Sequence, residues 1–90
     1  MEDKRELLHQ ILDLVIDING FEQRRESENP NKPTVFFKFN GHVCDIEVDV
    51  YSDGWKPYQD VDIELQEYID KEETELQKIV DELTEFKETM

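Results

Sequence analysis

Residues 34–51 read TVFFKFNGHVCDIEVDVY, and their pattern decides the fold. Val35, Phe37 and Phe39 alternate with Thr34, Phe36 and Lys38. Asn40-Gly41 then interrupts, and Cys44, Ile46, Val48 and Val50 alternate with Val43, Asp45, Glu47, Asp49 and Tyr51. Period-two alternation places successive side chains on opposite faces of a strand. Asn-Gly between two such runs is a strong hairpin signal, because a type I′ turn needs positive φ at both central residues. A two-residue turn there sets Phe39 against His42, Phe37 against Cys44 and Val35 against Ile46, and every one of these pairs falls on one face. The expected strands are 34–39 and 42–51.

A second connection, SDGWKPYQ, holds Asp53-Gly54 and Pro57. After it, Val61, Ile63 and Leu65 alternate with Asp62, Glu64 and Gln66, which predicts a third strand over 60–67. The rival reading starts the last helix near residue 60; strict alternation favours the strand. On the N-terminal side, Leu7, Leu8, Ile11, Leu12, Val15, Ile16 and Ile18 form one apolar stripe at helical period, which predicts a helix over 3–19 stopped at Asn19-Gly20. Leu76, Ile79, Val80, Leu83 and Phe86 do the same for a helix over 71–88. Residues 20–33 lack any period, contain Pro30 and Pro33, and read as a loop, with Phe21 tucked back against the helix end. The order is α-β-β-β-α. It predicts an α+β single domain over 1–90, a three-stranded antiparallel meander with two helices packed on one face.

Charge narrows the function. Ten Lys and Arg against 24 Asp and Glu give a net charge of −14, with 38% charged and 37% hydrophobic residues. Such a chain repels nucleic acid and anionic membranes and is drawn to cationic surfaces, including the nucleic-acid-binding clefts of other proteins. One cysteine, Cys44, allows no internal disulfide, and no apolar run suits a signal peptide or a membrane span, so the expected location is cytoplasmic.

The face of the sheet turned away from the helices is the candidate site. It is expected to carry Thr34, Phe36 and Lys38, then Val43, Asp45, Glu47, Asp49 and Tyr51, then Asp62, Glu64 and Gln66. Like charges on neighbouring strands oppose sheet formation, and aspartate is a poor strand former. The plain reading is a solvated face that keeps edge strands from aggregating. The functional reading is a surface waiting for a cationic partner, with Phe36 and Tyr51 as contact area. Trp55, in the turn before Pro57 and Tyr58, either folds over the core edge or anchors an interface.

No pattern points to catalysis, metal or cofactor. Alternate carboxylates on a flat strand diverge where a hard cation needs convergence. His9 and His42 have no nucleophile or carboxylate at a telling spacing, Cys44 reads as a small inward-facing residue, and no glycine loop suits a phosphate.

The stretches PTVFFKFNGHV and YSDGW resemble short uncharacterised proteins of bacteriophages and prophages of Gram-positive bacteria. The resemblance carries no active residue. It implies a setting in which small acidic proteins inhibit host defences, as DNA mimics and anti-CRISPR proteins do. The sequence thus predicts an interaction module, not an enzyme, that docks on a basic surface of another protein through Phe36, Asp45, Glu47, Asp49, Tyr51, Trp55, Asp62 and Glu64. Reversal of Asp45 and Glu47 to Lys is then expected to abolish binding without unfolding. The alternatives are a homodimer whose acidity serves solubility, and a binder of a small anion near Arg24 and Arg25.

Overall fold

The computed structural model describes residues 4–21, 23, 31–55, 60–70 and 75–90. Among these described residues five elements follow in order: α1 (Lys4–Asn19), β1 (Thr34–Asn40), β2 (Asp45–Tyr51), β3 (Ile63–Tyr68) and α2 (Leu76–Glu88). The three strands make one antiparallel sheet in the order β1-β2-β3. The protein is of the α+β class, α-β-β-β-α.

The helical stripes account for the layer on the sheet. Leu7, Ile11, Val15 and Ile18 of α1 and Leu76, Ile79, Val80 and Leu83 of α2 are buried together with Val35, Ile46, Val48 and Val50 of the sheet. Leu12 lies at the flank of its stripe and stays exposed. Gly20 closes α1 at φ 68, its N–H donating to the Ile16 carbonyl at 2.7 Å, the left-handed stop that glycine makes cheaply.

Polar contacts fix the helix directions. Lys4 Nζ donates to the Ile69 carbonyl just past β3, while the Asn19 side chain bonds Val35 at the start of β1. Lys87 pairs with Asp17 at 2.8 Å. Both helices therefore run side by side in one direction, antiparallel to β1 and β3.

The hairpin differs from the sequence expectation. Its connection has four residues, Gly41 to Cys44, and the register pairs Asn40 with Asp45, Phe39 with Ile46, Phe37 with Val48 and Val35 with Val50. Asn40 does not occupy the first central position of a two-residue turn. It opens the loop, and its carbonyl accepts from the Val43 N–H at 3.4 Å, as in the longer hairpin loops built on an i to i+3 turn. The left-handed residue is Cys44, at φ 53, with Gly41 outside that region. The faces survive the error because the pairing moved by an even number of residues. Val43 thereby leaves β2 for the loop, where it is exposed.

Smaller differences follow from local geometry. β3 begins at Ile63, not at 60. The Asp62 N–H donates to the carbonyl of Val50, whose partner in the register is Ile63, so two residues stand opposite one and alternation breaks there. α2 begins at Leu76; residues 71–74 of its expected first turn lie outside the described residues. Phe39 points to the helix-covered face but remains 52% exposed, because it lies at the hairpin end, past the strongly buried positions. Phe21 is 93% exposed and does not tuck against the helix.

Candidate functional site

The outer face of the sheet is built from the residues that alternate with the core. β1 contributes Phe36, Lys38 and Asn40, β2 contributes Asp45, Glu47, Asp49 and Tyr51, and β3 contributes Glu64, Gln66 and Tyr68. Here the expected set of carboxylates divides into two kinds.

Three of them are engaged. Asp45 is 3% exposed. Its Oδ1 accepts from Asn40 Nδ2 at 2.8 Å and its Oδ2 from Gln66 Nε2 at 2.7 Å, one amide from each flanking strand. These hydrogen bonds, that of Gln66 first, hold its carboxyl below the ordinary aspartate range, against the opposing effect of burial. The second Asn40 N–H reaches Glu47 Oε2 at 2.9 Å, and Lys38, directly across the strands, lies 4.0 Å from the same oxygen. An amide thus bridges Asp45 and Glu47 where a cation would otherwise be wanted. Asp62 has left the face at the irregular start of β3. Its Oδ2 accepts from the Ser52 N–H at 2.7 Å and from Ser52 Oγ at 2.8 Å, closing the β2–β3 connection.

Two remain. Asp49 and Glu64 are paired directly across β2 and β3. The Ile69 N–H to Cys44 carbonyl bond at 2.8 Å sets the phase of this ladder, which makes Asp49–Glu64 a pair without main-chain bonds between its members. Such pairs bring Cα atoms to about 4.5 Å, the closer of the two spacings. Neither carboxylate makes an ion pair or hydrogen bond among the described residues. Beside them, Phe36 and Tyr51 meet edge to face, with ring centroids 5.5 Å apart and planes at 76°. Phe36 is 44% exposed and faces Asp49 across β1 and β2. The centre of the site is therefore Phe36, Asp49, Tyr51 and Glu64.

Trp55 follows the turn after β2 and is exposed. No described residue is placed with it in a ring contact. Arg24 and Arg25, the poles of the anion-binding alternative, lie outside the described residues, as do Pro57 and Tyr58. Among the described residues no three His, Cys, Asp or Glu side chains gather as a metal would require. No helix there is long and apolar enough to cross a membrane.

Sequence reasoning missed the supporting amides. Asn40 was legible only as a turn residue, and Gln66 only as a polar strand position; their convergence on Asp45 needs the true register. Comparison of the chain with known protein families, with curated proteins and with solved structures finds no match.

Proposed function

We propose that the chain is an acidic interaction module, not an enzyme, whose outer sheet face docks on a basic surface of another protein. The observation that carries this reading is the Asp49–Glu64 pair: like charges set opposite one another, without a compensating cation among the described residues, beside two aromatic rings in edge-to-face contact. Like charges in this position cost a sheet about 0.2–1 kcal/mol, and a cationic partner removes that cost on binding. With a net charge of −14, association is fast and salt-sensitive. The resemblance to phage and prophage proteins supports a nucleic-acid mimic that inhibits a host defence protein in the cytoplasm. Direct contact with nucleic acid or membrane has no part in this reading.

The substitutions that test it move away from Asp45. A lysine there would set an ammonium in a buried site where two side-chain amides now donate, and is expected to destabilise the sheet, so that lost binding would not report on the face alone. The informative change is Asp49→Asn with Glu64→Gln. Immobilised wild-type chain is expected to retain a basic partner from host lysate at low salt and release it at high salt, while the double variant loses about tenfold in affinity for that partner. Equal retention by the variant removes the face from consideration.

A further inference from the structure

We propose that β1 accepts an extended, cationic segment of the partner as a fourth strand, hydrogen-bonded to the main chain of Phe37 and Phe39. This rests on the reading of the outer face as an acidic docking surface and specifies how the partner is held.

β1 is an edge of the sheet. In an antiparallel ladder, alternate residues turn their N–H and C=O toward the neighbouring strand and away from it. Asn19 identifies the set that turns away. Its Nδ2 donates to the Val35 carbonyl at 2.8 Å, and its Oδ1 accepts from the Val35 N–H at 2.8 Å. The side-chain amide at the end of α1 thus stands where the main chain of another strand would stand. Period two carries the same outward direction to Phe37 and Phe39. Their main-chain groups on that side meet no partner among the described residues. One outward position is closed by the helix and two are open.

The flank at Phe36 fits one chemistry, while Lys38, the next outer-face residue of β1, is drawn to Glu47 at 4.0 Å and disfavours a second cation opposite itself. Phe36 is exposed on the outer face and Phe39 on the inner face, so an added strand meets an aromatic ring on each side. β1 itself carries no carboxylate. Strands lie about 4.8 Å apart, so an arginine on the outer face of the added strand crosses the Phe36 ring toward Asp49, the residue opposite Phe36. The alternate side chain falls beside Phe39, where an apolar residue suits. The segment recognised is therefore extended, with cationic and apolar residues in alternation. Main-chain bonds give affinity to such an addition and alternate side chains give specificity.

The test uses the full chain and an acetylated ten-residue peptide of alternating arginine and valine. Amide hydrogen exchange is read by NMR with and without the peptide. The Phe37 and Phe39 amides are expected to exchange fast in the free chain and to slow on binding. The same peptide N-methylated at alternate residues, with its charge unchanged, is expected to bind about tenfold more weakly. Phe39→Pro, which removes one outward N–H, is expected to weaken binding more than Phe39→Thr, which removes only the ring. Equal binding of the N-methylated peptide overturns strand addition and leaves the acidic face standing. So does protection that appears on Gln66 and Tyr68 of β3 instead, or protection of Phe37 and Phe39 already present in the free chain, whether from its own residues or from a second copy. Unchanged peptide affinity in the Asp49→Asn, Glu64→Gln chain sinks the acidic-face reading itself, separately from the edge.

Discussion

At the scale of single residues, the least expected feature is an aspartate buried in the charged face. Asp45 is held by two neutral amides, so its ionised form is favoured in the folded chain relative to the unfolded one. A carboxyl with a depressed folded pKa contributes stability that is fully present above the ordinary aspartate pKa of about 3.9 and is lost as pH falls through the folded value. Asp45→Asn should therefore lower stability near neutrality and flatten the acid limb of the stability curve. Urea unfolding across pH checks this; parallel curves for the two chains would contradict it. A second residue is poorly matched to its place. Glu75 stands at the N-cap of α2 and makes no capping hydrogen bond with its side chain. Ser at this position accepts from the exposed helix amides, so Glu75→Ser is expected to raise stability by about 0.5–1 kcal/mol in chemical denaturation.

At the scale of elements, the hairpin separates what a sequence can and cannot specify. Alternation along β1 and β2 was enough to assign both strands and both faces, because burial of one face penalises any odd slip. The turn was not legible. Asn40-Gly41 carries the signal of a two-residue turn, and the competing pairing differs by an even slip that hydrophobic pattern cannot detect. What decides it is the position that takes positive φ. The two registers give opposite expectations for Cys44→Val. In a strand, as the shorter turn requires, valine would suit the site. At φ 53 a β-branched residue is more strained than cysteine, and the substitution should cost on the order of 1 kcal/mol. A Cys44→Val chain as stable as wild type would refute the four-residue loop. The site was legible to the same extent. Phe36, Asp49, Tyr51 and Glu64 follow from alternation alone. The departure of Asp62 and the burial of Asp45 follow from a local irregularity and from amides on other strands, for which no local pattern exists.

At the scale of the whole molecule, the charge is expected to act with opposite signs on stability and on the proposed recognition of a basic partner. A net charge of −14 on 90 residues repels itself in the compact state, so moderate salt should raise the melting temperature by a few degrees, on the order of 1 kcal/mol of screened repulsion. Salt should weaken partner binding over the same range, since the attraction to a basic surface is screened as well. A melting temperature that falls with added sodium chloride would show that ion pairs such as Lys87–Asp17 outweigh the repulsion. The two signs meet in the Asp49–Glu64 pair, which opposes the fold and, on this account, exists for the partner. The most direct measurement is Glu64→Lys, with thermal unfolding and affinity for the captured partner read on the same preparation. The account predicts a sheet stabilised by about 0.2–1 kcal/mol, as the introduced lysine pairs with Asp49, together with an affinity at least about tenfold lower. A chain that is stabilised and still binds as tightly as wild type would contradict it, and the acidic face would then serve only to meet water.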